Sequence, residues 1–321
     1  MRDLSKKQDM LKLTVIAAVA LAIVAVFLGQ GLTPDNYQFF LSRRIPKILA
    51  IAMAAVAISA SSLVFQTITN NRILTPSILG FDSLYVMLQT LIVAVFGSAS
   101  AMIANPHLNF VVCVVVMTGL STALFSLYFR RRNNNVFTLL LVGIVLGSLF
   151  ESFSSFFAML IDPSEFTVLE GAMFASFNNV NSEIVYWCTL PLGLCLLYLS
   201  RLASQLDVMW LGEDNAKSLG VDTRALTLKV MMVVAILISI STALVGPVLF
   251  FGLIVVSLTR EMYRNYHHRF LLVATSLLAV LLLVGGQFMV EKVLNFNTTI
   301  SIIINFLGGS YFLFLLARNK I

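Results

Sequence analysis

Charge is scarce in this chain. Of 321 residues only 11% are Asp, Glu, Lys or Arg, against 59% apolar. Soluble domains carry about 25% charged residues, so a water-facing surface is excluded for most of the chain, and the mean hydropathy of +0.94 agrees. Cysteine is scarce too. Cys113, Cys188 and Cys195 stand inside apolar runs and form no C-x-x-C pair. That excludes a disulfide framework and a zinc site, and it leaves them as small buried apolar residues. No G-x-x-x-x-G-K-[ST] occurs, so the chain does not hold ATP in a P-loop. H-E-x-x-H and G-x-S-x-G are also missing, which removes support for hydrolysis within a membrane. Neither catalytic residues nor a cofactor is expected.

What the chain does have is a succession of apolar runs, each about 20 residues long, the length of a membrane-crossing helix. Hydropathy places ten spans at about 11–29, 46–66, 78–97, 108–129, 137–160, 183–203, 225–243, 247–260, 269–290 and 301–318. The fold class is therefore all-α, a polytopic membrane protein with residues 1–321 in a single transmembrane domain. The first run follows Arg2, Lys6, Lys7 and Lys12, has no small-residue cleavage site after it and is long for a signal peptide, so it reads as a retained span. With the N-terminus inside, seventeen of the Lys and Arg residues fall on inner segments and four outside. That asymmetry is the one cytoplasmic loops show, and it puts both termini in the cytoplasm. The net charge of +6 is thus spread over loops, which points to a lipid bilayer and away from nucleic acid. The four outer cations, Arg43, Arg44, Lys47 and Lys292, become conspicuous.

Several spans carry polar residues at helical spacing. In span two Ser59, Ser62, Gln66 and Asn70 share one face, either bonding between helices or lining a wet path. In span five Ser148, Glu151, Ser152 and Ser155 share a face with Gly147. A carboxylate facing lipid at mid-span costs about 2.5–3.5 kcal/mol, so Glu151 faces protein or a water-filled conduit. Gly143-x-x-x-Gly147 suits close helix packing. Span ten carries Ser301, Asn305 and Gly308 on one face, a strip that with Gly309 fits a second copy or a homologous subunit. Between spans five and six, Phe166, Leu169, Met173 and Phe174 recur at helical spacing and predict a short outer helix over 163–177. Gly246-Pro247 breaks a helix and restarts it with proline in the first turn, and Pro46 stands likewise at the start of span two. His267-His268 reads as part of a solvated basic loop.

The longest polar interruption in the second half is Gln205–Arg224. Gly212 ends one helical pattern, and Glu213 and Asp214 open another where the helix dipole favours negative charge. Lys217 stands four residues after Glu213, and Gly220 falls where a helix C-terminus takes a left-handed residue. The stretch reads either as a helical knob that docks something outside the membrane or as an ordinary connecting loop.

Three stretches together are similar to the FecCD-like family, the permeases of iron-siderophore and cobalamin ABC importers. They are RRIPKILA (43–50), continuing to Gln66 and NNRILTPSILG (70–80); LGEDNAKSLGVD (211–222); and GPVLFFGLIVVSLTR (246–260). FLGGSYF (306–312) also fits. The chain departs from the family at Ile73-Leu74, Ala175-Ser176 and Val256-Ser257. The 70–80 variant resembles the branch importing catecholate or mixed-type siderophores through paired permeases. The resemblance implies a type II ABC importer permease fold, with Leu211, Gly212, Glu213, Asp214, Ala216, Lys217, Leu219 and Gly220 docking a separate ATP-binding subunit. It also implies that Arg43, Arg44, Lys47 and Lys292 receive an extracytoplasmic substrate-binding protein. The path for an intact ferric siderophore would lie between this chain and a second permease subunit, lined by Ser59, Ser62, Gln66, Ser148, Glu151, Ser152, Ser155 and Asn305. An importer for cobalamin or haem is the neighbouring alternative. From another class, an ion-coupled secondary transporter of a small solute would use Glu151 as its proton carrier.

Overall fold

A computed structural model describes residues 2–130, 136–178, 180–296 and 298–317. Arg131, Arg132, Arg318 and Lys320, four of the cations expected on the inner side, lie outside the described residues. The described chain is helical, with no strand: α1 (Arg2–Gly29), α2 (Tyr37–Ile68), α3 (Phe81–Phe96), α4 (Ala101–Ala104), α5 (Pro106–Arg130), α6 (Val136–Ala158), α7 (Pro163–Met173), α8 (Ser182–Met209), α9 (Glu213–Ser218), α10 (Thr223–Val245), α11 (Phe251–Met262), α12 (His268–Lys292) and α13 (Ile300–Ala317). Among these residues seven helices (α1, α2, α5, α6, α8, α10 and α12) are long and apolar enough to cross a membrane, and α3 and α13 are shorter apolar helices.

The bundle is built around α2, which packs against α8, α10, α11 and α12. Its sequence explains the position. Ala50, Ala54, Ala55, Ala57, Ser59, Ala60, Ser61 and Ser62 are all buried. In a membrane, helices gain little from excluding lipid, so small residues that let backbones approach supply the packing. Where α11 crosses α2, a Cβ on Gly252 would overlap the Ser62 side chain. A second close approach joins α6 to the turn before α3. A Cβ on Gly80 would come within 2.8 Å of the Gly147 Cα, and one on Gly143 within 2.9 Å of the Leu79 Cα. The Gly143–Gly147 strip is thus used within the chain.

Two helix starts differ from the sequence reading, in opposite senses. α2 begins at Tyr37 and runs through Pro46, because one missing donor is outweighed by extra turns in which Arg43 stacks over Phe39 (4.5 Å) and Arg44 over Phe40 (4.8 Å). α11, by contrast, begins only at Phe251, leaving Pro247 in a non-helical connection. The break is closed by protein, as backbone at membrane depth requires: the Ser176 N–H donates to the Val245 carbonyl (2.8 Å). Gly246, at φ +93, lies so close that a Cβ would come within 3.0 Å of the Ala175 Cα. Phe250 is left-handed (φ 57) and is held there by α13: its ring meets Phe312 at 6.1 Å, and a Cβ on Gly308 would overlap its own Cβ.

Candidate functional site

At one end of the bundle α8 overruns its apolar stretch to Met209, and the chain turns through Gly212 into α9. Ala216 is buried beneath α9, while Glu213, Asp214 and Lys217 are exposed. The Lys217 ammonium lies 2.8 Å from the Glu213 carboxylate, whose hydrogen bond and charge hold Lys217 above the ordinary lysine range. The helix ends in a Schellman pair, Val221 N–H to Ala216 C=O and Gly220 N–H to Lys217 C=O, both 3.0 Å. Gly220 sits at φ +84, where a Cβ would be strained. Asp222 then caps α10 by accepting from the Ala225 N–H. Leu211 and Leu219 stand on either side, 58% and 64% exposed. The segment is a closed, self-capped element that presents two leucines and an ion pair outward.

Beneath it lies a polar clamp that sequence reasoning missed. Asp207, near the end of α8, accepts from the His268 backbone N–H (2.7 Å) and from the His268 Nδ1–H (2.6 Å), with the His267 Nδ1 at 3.1 Å. The His268 Nε2 lies 2.8 Å from the Thr67 Oγ1 on α2. His268 is 1% exposed, which corrects its reading as part of a solvated loop. Charge-assisted bonds of this length are the strong ones, and they tie α8, α12 and α2 together at the root of the projecting segment. Beside the clamp, the Trp210 ring lies under the Arg260 guanidinium (3.9 Å) and near that of Arg72 (5.5 Å). Asp9 and Lys12 of α1 join the same end, Asp9 accepting from the Arg264 N–H and Lys12 donating to the Met262 carbonyl.

The opposite end holds the four cations singled out above, but not in one state. Arg43 and Lys292 are exposed. Arg44 donates to the Leu28 and Gln30 carbonyls (3.0 and 2.6 Å), satisfying acceptors left over at the end of α1. Lys47 pairs with Glu291 of α12 and with the Asn178 amide oxygen, and Gln287 also donates to Glu291 (2.9 Å). Arg44 and Lys47 therefore spend their polar contacts on their own chain, while Arg43 stacks on Phe39 and stays exposed. Nearby, α7 ends at Met173, four residues short of the expected limit. Leu169 is buried beneath it and Glu165 accepts from Ser98.

The polar faces also divide. Ser59, Ser62 and Gln66 are buried inside the chain at 0%, 1% and 0% exposure. In this conformation they face neighbouring helices rather than a surface, which favours the packing alternative of the two stated for this strip. Asn70 leaves the strip altogether, beyond the end of α2 at φ 48. Ser148, Glu151, Ser152 and Ser155 are all exposed along α6. On α13, Ser301 is buried and Gly308 meets Phe250 of the same chain, while Gly309 stays open. Asn305 is half-buried, with an amide oxygen that has no hydrogen-bond partner.

Comparison with known proteins gives the family and the fold. A model of the FecCD transport family matches residues 10–318. The chain is 46% identical to the petrobactin import system permease protein YclO of Bacillus subtilis (strain 168), over 98% of this chain and 99% of that one. It is 34% identical to the petrobactin import system permease protein FatC of Bacillus anthracis, over 96% and 88%. Its fold superimposes with a TM-score of 0.82 on a metal-chelate type ABC transporter captured in an inward-facing conformation, covering 95% of this chain and 98% of that one at 23% identity.

Proposed function

The chain belongs to the FecCD transport family, and on that footing we propose that it is the permease subunit of an ATP-driven importer that moves a ferric siderophore, of the petrobactin class, across a bacterial cytoplasmic membrane. Residues 1–321 form one multi-pass domain with both termini in the cytoplasm and ten crossings, α11 and the two shorter apolar helices included. Two relatives named as petrobactin permeases support the substrate class.

The observation that carries the mechanism is the α9 element. A self-capped helix with exposed Leu211 and Leu219 flanking the Glu213–Lys217 pair is what a separate ATP-binding subunit can grip. Because only the short turn 210–212 separates α9 from the end of α8, and the Asp207–His268–Thr67 bonds fasten its root, force on α9 passes into α2, α8 and α12. Packed helices then move between outward- and inward-open arrangements as bodies. The exposed face of α6, with Ser148, Glu151, Ser152 and Ser155, and Asn305 on α13 would line the path against a second permease subunit. Ser59, Ser62 and Gln66 are assigned to packing. At the other end a substrate-binding protein meets Arg43 and Lys292 first. Lys47 joins only if a carboxylate of that protein replaces Glu291, an exchange of ion pairs that steers more than it holds.

Reversing both charges of the exposed pair, Glu213→Lys with Lys217→Glu, tests the gripping role. The thermal midpoint of the purified chain stays unchanged, while copurification with the ATP-binding subunit falls at least tenfold. Undiminished copurification would remove α9 from the interface.

A further inference from the structure

Beside the clamp lies a pocket of about 160 Å³, lined by Arg72, Trp210, Arg260, Tyr263, Arg264 and His268 among others. It is roughly five times the ~30 Å³ a water molecule takes up in the liquid. Its chemistry is unbalanced. The Arg260 Nε and Nη1 are buried and have no hydrogen-bond partner, although guanidinium N–H groups are almost always satisfied when buried. The Trp210 ring covers one face of Arg260 and brings Arg72 to the same place, so two like charges converge. Two carboxylates at this end of the bundle are engaged with other groups: Asp207 accepts from His268 and His267, and Asp9 from the Arg264 N–H. A buried charge without a partner is strongly unfavourable. What the pocket lacks is an oxyanion that accepts from the fork of Arg260.

We propose that this pocket binds a phosphate group, the headgroup phosphate of an anionic phospholipid in the cytoplasmic leaflet. Arg pairs bidentately with phosphate oxygens. Trp210, Tyr263 and the 57%-exposed Tyr266 at its mouth are the residue types that settle at headgroup depth. Basic pockets between helices on the cytoplasmic side are suited to such headgroups. The choice of leaflet rests on the orientation proposed above, but the binding itself does not. A lipid so held would sit at the root of α9, between the segment that receives force and the helices that move.

The test is native mass spectrometry of the purified full chain, delipidated and then titrated with phosphatidylglycerol or phosphatidylcholine, with inorganic phosphate as a third arm. Phosphatidylglycerol should bind at least tenfold more tightly than phosphatidylcholine, and Arg260→Gln and, separately, Arg72→Gln should each remove most of that preference. Two variants guard against one that fails to fold. If inorganic phosphate displaces the lipid at millimolar concentration, the pocket takes phosphate from either source and the assignment of the ligand chemistry stands. Equal binding of both lipids, or a preference unchanged in both variants, overturns the proposal. So does protection of Arg260 from guanidine-modifying reagent only when the ATP-binding subunit is added, since the anion would then be a partner's carboxylate.

Discussion

The polar strip of α2 and the polar strip of α6 look alike as sequence and come to opposite ends as structure. Ser59, Ser62 and Gln66 recur at helical spacing within an apolar run, as do Ser148, Glu151, Ser152 and Ser155. Yet the first set is buried in the middle of the bundle and the second is exposed. Helical spacing states which residues share a face, not what that face meets. The difference lies in what surrounds each strip. On α2 alanine and serine recur from Ala50 to Ser62, so other helices close in, and Gly252 lets α11 in at Ser62. On α6 the small residues, Gly143 and Gly147, lie on the face turned to Gly80 and Leu79, and the strip with Glu151 is left outside.

The contrast can be broken in three ways, of decreasing effect. Gly252→Val inserts a branched side chain where even one carbon overlaps Ser62. It should destabilise the chain by about 3 kcal/mol, read as a lower thermal midpoint and a smaller folded fraction in detergent. A fully stable variant would mean that α11 does not rest on α2. Gln66→Leu acts in the other direction. Both amide atoms of Gln66 are buried without a partner, so an apolar side chain of similar size should raise stability by about 1 kcal/mol. A loss of transport with no gain in stability would return Gln66 to the path. Glu151→Gln should change stability by less than about 0.5 kcal/mol, as for an exposed site, while transport by the assembled importer falls several-fold. The reverse pattern, a destabilised chain with normal transport, would make Glu151 a packing residue.

Much of the architecture was legible because it is local. The α9 element could be read from LGEDNAKSLGVD, since its caps, its i,i+4 pair and its left-handed Gly220 all lie within a dozen residues. The Gly143–Gly147 strip was visible for the same reason. What could not be read are contacts that join distant positions: Thr67 with His268, Asp207 with His268, and Lys47 with Glu291. Polar residues in a greasy chain find partners across the bundle, and no spacing rule names the partner. So the sequence alone puts His268 in a loop, and gives no sign that Lys47 has Glu291 beside it. The starts of α2 and α11 were missed for a related reason. A proline marks where a helix is able to begin, whereas stacking of Arg43 on Phe39, or the backbone bond from Ser176 to Val245, decides where it does.

The central claim is that this chain is a gate with no motor of its own, moved through α9. Uptake of ferric petrobactin into proteoliposomes tests it most directly, with the chain reconstituted alone or with its second permease and ATP-binding subunits. The account predicts uptake only in the complete assembly with ATP, and none by the chain alone under an imposed proton gradient. Gradient-driven uptake by the chain alone would contradict it.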